Sequence, residues 1–347
     1  MQDHSIAGIG ITIRGPRSPV TDAVLEMFRL TRPPRLPETV SLTIYDLKGI
    51  DGLDSILPEW LCEKLRHLAP SQDALMVYGP DGDLATIINS GTARYCAWMA
   101  VGAKEIRYLS CKMTEHRTPL SVSSVLVPVL RELVAAHDRV LLHAASLCFP
   151  DKTGILILAD SGGGKTTTAL SVLRQGARFL ADDLTVLNES QEQIHMTGFP
   201  ELLNLTSQTI RFFPELHGAA DESNQQVATG KRIVSVKKIY GNHCVMDACR
   251  LHVAYFVRIT SEGPGVQPVP VSSALGKLIH AHTFARNQSM TQSTVAHLFS
   301  FLSRIRTYEL LTGPDPALLG KWLLENCHRH GGTGFKIPVN GAGEYPC

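Results

Sequence analysis

The sequence predicts an α/β protein whose core contains a strand, a glycine-rich turn and a helix in succession, preceded by a small β-rich module. From Arg139 onward, apolar strand candidates alternate with helical patterns, which is typical of an α/β core. The first 120 residues instead contain short strand candidates separated by Gly and Pro clusters. The chain has 347 residues, 44% of them hydrophobic, and this suffices for two domains. We therefore predict a β-rich module over 1–120, an α/β domain over 121–330 and a flexible tail over 331–347.

The elements of the N-terminal module are predicted from alternating apolar residues and from the clusters that interrupt them. Gly-Pro-Arg-Ser-Pro at 15–19 ends the first strand, and the Pro-rich segment at 33–37 interrupts the pattern after a short helix. The predicted elements are a strand over 6–14, a helix over 20–30 and strands over 40–47, 74–78, 84–89 and 105–109.

The α/β domain is predicted to begin with an amphipathic helix over 120–138. Six apolar residues recur there at helical spacing, namely Val125, Leu126, Val129, Leu130, Leu133 and Val134. The glycine-rich turn leads into a further helix that ends at Gly176, a residue suited to a helix C-cap. Strands are predicted over 140–149, 154–159 and 177–187, and the stretch 272–311 is predicted to be largely helical.

Composition and charge narrow the class of protein. Lys and Arg number 33 against 32 Asp and Glu, and the net charge of +1 argues against a strongly basic nucleic-acid surface or an anionic-membrane patch. We find neither a long uncharged apolar run nor a secretory leader, and the eight cysteines are scattered in the manner of reduced thiols. We predict a cytoplasmic protein with neither a nucleic-acid nor a membrane partner.

A phosphate-binding loop is predicted at 159–166 (ADSGGGKT), between an apolar strand and a helix. Its glycines allow backbone conformations that turn successive amide N–H groups toward phosphate oxygens, and the helix N-terminus adds the positive end of its dipole. Lys165 is placed to reach the terminal phosphates, and Thr166 to ligate Mg²⁺. The residues predicted to bind the nucleotide are Asp160, Ser161, Gly162, Gly163, Gly164, Lys165, Thr166 and Thr167.

A pair of aspartates follows the next apolar strand, where carboxylates would lie beside the phosphate loop. Of Asp182 and Asp183, one can bind magnesium and the other can accept the proton of an attacking hydroxyl. The alternative is a solvated turn, but the position directly after the loop and its helix favours a functional role. His143 lies on the preceding apolar strand, where a lone histidine is typical of a core residue, so the residues alone assign it no role.

These residues resemble the HPr kinase/phosphorylase family, whose members carry a histidine, then G-D-S-G-x-G-K-S, then a helix ending R-G-H-R-L, then A-D-D. The matching segments are His143, 159–166 and RQGARFLADD at 174–183. The resemblance implies the phosphate-loop fold shared by HPr kinases and ATP-dependent phosphoenolpyruvate carboxykinases, with ATP and Mg²⁺ as cofactors. It implies that Asp182 is the base, assisted by His143, and Lys165 is predicted to act in catalysis by neutralising the phosphates. It implies Thr166 and Asp183 as metal ligands, although the two aspartates can exchange roles.

Several positions depart from the family pattern. Ala159, Thr167 and Ala177 replace a glycine, an acidic residue and a histidine. In the segment 230–241, Lys231 and Arg232 stand where the family has glycines in a stretch tied to the HPr substrate and to the reverse reaction. We predict that both contact the substrate, with a solvated strand as the alternative. The chain resembles the divergent, stand-alone HPr-kinase-like group, some members of which act on serine in peptides and others on small hydroxylated molecules.

The predicted function is ATP-dependent transfer of the γ-phosphoryl group to a hydroxyl, most simply a serine of a peptide or protein. A small hydroxylated metabolite is the alternative acceptor, and a nucleotide-binding regulatory protein without catalysis is the alternative class. A plain ATPase would normally carry its metal-binding aspartate farther from the loop. The resemblance also implies that the protein can form a homo-oligomer.

Overall fold

The computed structural model describes residues 2–6, 9–28, 39–49, 51–69, 71–89, 93–100, 102, 104–112, 122–198, 202–221, 232–282 and 292–328. The strands are β1 (Gln2–Ile6), β2 (Ile9–Arg14), β3 (Thr39–Leu47), β4 (Ser71–Tyr78), β5 (Leu84–Asn89), β6 (Ala93–Met99), β7 (Glu105–Lys112), β8 (Val140–Leu142), β9 (Ala145–Cys148), β10 (Gly154–Leu158), β11 (Arg178–Ala181), β12 (Thr185–Ser190), β13 (Gln193–Gly198), β14 (Leu202–Leu205), β15 (Arg232–Ser235), β16 (Ala248–Arg258), β17 (Gly265–Pro268) and β18 (Arg306–Leu311). The helices are α1 (Pro19–Phe28), α2 (Glu59–His67), α3 (Val122–Ala135), α4 (Lys165–Leu173), α5 (Ser207–Phe212), α6 (Leu216–Asp221), α7 (Val236–Tyr240), α8 (Val271–His282), α9 (Gln292–Leu302) and α10 (Pro316–Leu323).

The first seven strands form one mixed sheet in the order β1-β2-β3-β7-β6-β5-β4. The pairs β2/β3 and β3/β7 are parallel and the others antiparallel. The strand predicted over 6–14 is wrong in extent, because Ile6 pairs with Ile9 across a hairpin and the chain forms two antiparallel strands there. Strand β6 and helix α2 were not predicted. The side chains of β6 are buried almost throughout, so its sequence lacks the alternation expected of a half-buried strand.

A second sheet of nine strands carries the phosphate loop. Its order is β11-β9-β10-β16-β13-β12-β8, with β18 beside β16 and β17 beside β18. Strand β10 runs parallel to β16, and β16 runs parallel to β18. Ile155 and Ile157 pack in the core that contains α4 and α10, whereas Leu156 and Leu158 pack in the core that contains α8 and α9. Burial on both faces explains the continuous apolar sequence of β10.

The two longest predicted strands of this domain are each broken in the structure. The strand predicted over 140–149 divides into β8 and β9 at His143, and the one predicted over 177–187 divides into β11 and β12 after Ala181. The reason is a change of partner, because β8 pairs with β12 whereas β9 pairs with β10 and β11. The breaks therefore lie at the junction between two parts of the sheet, where His143 and the aspartate pair leave the strands.

Among the other predictions for the second domain, several are confirmed and one is wrong in part. Helix α3 is confirmed, and so are β10, α4 and the cap at Gly176, which has a left-handed φ of 84°. The prediction of helix over 272–311 is wrong at 306–311, which is β18, although α8 and α9 are helical. The α/β fold class is confirmed. The predicted tail over 331–347 and the boundary at 120 lie outside the described residues, and the domain limits remain a proposal. None of the helices described above has the length and apolarity needed to cross a membrane.

Helix α10 packs so closely on α4 that one position tolerates no side chain. A Cβ on Gly320 would lie 2.0 Å from the Ser171 carbonyl oxygen, and the Gly320 N–H donates to Ser171 Oγ over 2.6 Å. We expect Gly320→Ala to lower the free energy of unfolding by roughly 3 kcal/mol, because the two helices must separate. Chemical denaturation measures this change.

The matched control is Gly276→Ala within α8, where a Cβ would meet nothing within 4 Å. Alanine is the better helix former, so the control should gain about 0.5–1 kcal/mol. Equal effects of the two substitutions would contradict the close contact between α4 and α10.

Candidate active site

The phosphate loop needs its glycines for conformation and for space. Gly162 and Gly164 adopt left-handed φ values of 77° and 92°, a region that disfavours other residues. A Cβ on Gly163 would lie 2.9 Å from the Asp160 carbonyl oxygen, to which the Gly163 N–H donates over 2.8 Å. The loop is thus a tight turn directly after β10.

The N-terminus of α4 lies at the end of this loop. Gly164 is its N-cap residue, so no cap side chain bonds the first-turn amides. Asp160, Ser161 and Gly162 are exposed at the mouth of the loop. Backbone N–H groups at such a helix start can bind a phosphate. Thr167, predicted as a nucleotide contact, turns toward α5, where its hydroxyl lies 3.0 Å from that of Thr209.

The aspartate pair lies at the same edge of the sheet as the loop, directly after β11. Asp182 is buried, with 1% of its surface exposed, and its Oδ2 accepts a hydrogen bond from Thr166 Oγ1 over 3.0 Å. Asp183 is more accessible, with 31% of its side chain exposed. Lys165 Nζ lies 3.4 Å from Asp182 Oδ1 and 2.5 Å from Asp183 Oδ1, and it also donates to the Asp182 carbonyl oxygen.

Asn204 on β14 contacts both aspartates, although the sequence did not indicate it. Its backbone N–H donates to Asp182 Oδ2 over 3.2 Å, and its side-chain amide donates to Asp183 Oδ2. The asparagine belongs to no local motif, and the separation of about twenty residues from the pair carries no spacing signal. Its position depends on the small β14/β15 sheet.

His143 lies beside Asp183 rather than beside Asp182, the partner expected from the resemblance. Its Nδ1 is 3.8 Å from Asp183 Oδ1, a distance that allows charge attraction but exceeds a hydrogen bond. Thr166 lies beside the other aspartate, Asp182, to which its hydroxyl donates a hydrogen bond. The physical reason is the coincidence of the two strand breaks, which turns the second aspartate toward the histidine.

Burial and neighbouring charges shift the pKa values of Asp182 and Lys165. Burial raises the pKa of Asp182 and the charge of Asp183 raises it further, although Lys165 opposes both. For Lys165, burial is the largest single influence and lowers the pKa, but the two carboxylates together outweigh it, so its pKa is raised. Lys165 is therefore held as a cation in a buried position, which suits a residue that must face phosphate oxygens.

The oxygen atoms here suit a hard divalent cation. Thr166 Oγ1 and Asp182 Oδ2 are hydrogen-bonded neighbours, and carboxylate oxygens of both aspartates lie within 4 Å of Lys165 Nζ. Hydroxyl and carboxylate oxygens are the ligands that Mg²⁺ prefers, and it usually completes its shell with phosphate oxygens and water. The residues present thus fit magnesium, and the metal ligands Thr166 and Asp183 stay a prediction.

Of the two predicted substrate contacts, Lys231 and Arg232, only Arg232 can be placed relative to this site. Lys231 lies outside the described residues. Arg232 begins β15 and pairs with Leu205 on β14, one residue from Asn204. Its strand therefore adjoins the strand that contacts the aspartates.

Sequence comparison relates this site to known proteins. Over 158 residues the chain is 25% identical to the HPr kinase/phosphorylase of Streptococcus sanguinis. This alignment covers 46% of this chain and 42% of that protein. Over 96 residues it is 34% identical to the HPr kinase/phosphorylase of Lactiplantibacillus plantarum, and this alignment covers 28% of each of the two proteins. The chain is related to the HPr kinase/phosphorylases. The resemblance first noted in the loop and aspartate motifs is thereby confirmed.

The relationship is partial. The HPr-kinase-like chain aligns with less than half the length of these curated relatives, and no family model matches it. A solved structure, the Hpr(Ser) kinase/phosphatase from Coxiella burnetii, aligns with 53% of this chain and 88% of its own at 14% identity. Its TM-score of 0.32 is too low to support a conclusion about fold or function.

Proposed function

We propose that this HPr-kinase-like chain is an ATP-dependent kinase that phosphorylates a serine hydroxyl of a peptide or protein. The observation that carries the proposal is the meeting of the phosphate loop, through Lys165 and Thr166, with one buried and one accessible aspartate. Binding of phosphate alone would not require the accessible Asp183 beside His143. The relatives named HPr kinase/phosphorylase support the same reaction class.

In the proposed mechanism, the residues of the loop hold the donor. The amides of 160–167 and the cationic Lys165 bind the phosphates of ATP, exchanging the carboxylate contacts of Lys165 for phosphate oxygens. Thr166 and Asp182 would hold Mg²⁺, which when bound would neutralise charge on the phosphoryl oxygens. Asp182 suits this role because it is buried next to the Thr166 hydroxyl and is fixed by the Asn204 N–H.

Asp183 is the proposed base, so the two aspartates exchange the roles first expected of them. Its carboxylate accepts the proton as the acceptor oxygen forms a bond to the γ-phosphorus, and the bond to the ADP oxygen breaks. His143 assists by lying next to Asp183, and the Asn204 amide orients the same carboxylate. Arg232, with Lys231, is proposed to contact the acceptor.

The setting of the reaction is part of the proposal. ATP and reduced thiols coexist in the cytoplasm, and the cysteines described as free are Cys62, Cys96, Cys111, Cys148, Cys244 and Cys249. The curated relatives are named for HPr. Because Lys231 and Arg232 make basic the segment that the resemblance ties to the HPr substrate, we propose an acceptor other than HPr. We also propose that the protein forms a homo-oligomer, as the family resemblance implies.

Transfer of label from γ-labelled ATP tests the proposal. Seryl peptides should gain a phosphoester that resists acid and is labile to base, whereas matched peptides with alanine in place of serine should gain none. Label that appears only on hydroxylated small molecules would move the acceptor to that class. Release of free phosphate alone, with every acceptor, would contradict kinase activity and favour an ATPase.

A further inference from the structure

We infer that Ile259 forms part of a platform for the nucleobase of the bound nucleotide, an inference that rests on the proposed function. Among the described residues, four large apolar side chains are exposed, Tyr78, Ile259, Phe299 and Leu318. Single exposed apolar residues are ordinary, so exposure alone means little. Ile259 differs in its place, directly after β16 and beside the phosphate loop, while 62% of it remains exposed.

The isoleucine lies against the last glycine of the loop. From a Cβ built on Gly164, the Cγ1 and Cδ1 atoms of Ile259 would be 3.6 Å and 3.7 Å away, and Val257 Cγ1 would be 3.7 Å away. These are ordinary van der Waals distances. An apolar side chain therefore borders the N-terminus of α4, where the phosphates are proposed to bind.

The order of strands decides which part of the nucleotide reaches this side chain. β10 delivers the loop, β11 and the aspartates lie to one side of it beyond β9, and β16 lies to the other. The γ-phosphoryl group must face the aspartates for transfer. The nucleoside then extends across the opposite side of the loop, toward the end of β16. Ligands of open α/β sheets bind outside the carboxyl ends of the strands, which is where Ile259 lies.

The surface next to Ile259 is built from two connected turns. The Thr312 N–H, after β18, donates to the Arg258 carbonyl oxygen over 3.2 Å. A Cβ on Gly313 would lie 3.0 Å from Pro264 N, so the segments after β16 and β18 are in close contact. The segment after β18 is thus held beside Arg258, the residue that precedes the isoleucine. A planar apolar group that covers Ile259 gains by leaving water, and the nucleobase is the part of the nucleotide with that chemistry.

Calorimetry on the full chain tests the platform with two magnesium-bound ligands. ATP carries a base, whereas inorganic tripolyphosphate carries three phosphates and neither ribose nor base. Ile259→Ser should weaken ATP binding about tenfold and leave tripolyphosphate binding within about twofold of the parental value. Ile259→Leu should keep parental ATP affinity. Phe299→Ser on α9 removes another exposed apolar side chain, 51% exposed against 62% for Ile259, and should change neither affinity.

Different results would contradict the platform alone or the proposed function together with it. Unchanged ATP affinity in Ile259→Ser would overturn the platform and leave the phosphate site in place. Equal weakening of both ligands would also overturn it, since the side chain would then act on the loop. A parental protein that binds neither ligand would overturn the proposed function and the platform with it.

Discussion

Asp183→Asn should reduce phosphoryl transfer by about 10²–10⁴-fold while leaving the affinity for magnesium-bound ATP close to parental. The amide keeps the size and polarity of the side chain but cannot accept the proton of the acceptor hydroxyl. His143→Ala should slow transfer less, because the histidine contacts Asp183 at 3.8 Å and does not receive the proton in this mechanism. Single-turnover transfer and calorimetric nucleotide affinity, measured on each variant, separate chemistry from binding.

Asp182→Asn should behave differently from Asp183→Asn. A neutral amide is a poorer ligand for a hard cation, so the magnesium concentration needed for half-maximal activity should rise. Asp81→Asn is the matched control, because this exposed aspartate lies in the turn between β4 and β5. Reversed phenotypes for the two variants would restore the roles first expected from the resemblance. Parental transfer in both would remove the mechanism.

Lys165→Ala should abolish most of the increase in melting temperature that ATP with Mg²⁺ produces in the parental protein. A ligand at 100 times its Kd stabilises the native state by about 2.7 kcal/mol, and loss of the cation at the phosphates should remove most of this. The substitution also leaves the buried Asp182 without its closest cation, so the variant should melt at a lower temperature even without nucleotide.

The informative quantity is therefore the nucleotide-dependent shift within each variant. Lys104→Ala, an exposed lysine of the N-terminal sheet region, should keep the parental shift. If Lys165→Ala kept it as well, the nucleotide would bind somewhere other than the phosphate loop.

The phosphate loop could be predicted from the sequence because its determinants are local. An apolar strand, three consecutive glycines, Lys165, Thr166 and a helix closed by Gly176 occupy one short stretch, and each acts through its own backbone or its nearest neighbours. The same holds for α3, whose apolar spacing requires only one helix face. These elements agree with the structure.

The geometry around the aspartates was decided by tertiary structure. Nothing in a continuous apolar sequence marks where a strand exchanges one partner for another, yet that exchange places His143 beside Asp183 and Thr166 beside Asp182. Asn204 lies in a separate two-stranded sheet, whose second strand β15 is distant in sequence, so no local pattern predicts its position. β18 was mistaken for helix because so short a segment fits either period, and pairing with the distant β16 and with β17 selects the strand. The sequence by itself thus determined the glycine-rich turn between a strand and a helix, because each of its residues acts locally, whereas long-range strand pairing determined that Asp182 lies beside Thr166 and Asp183 beside His143.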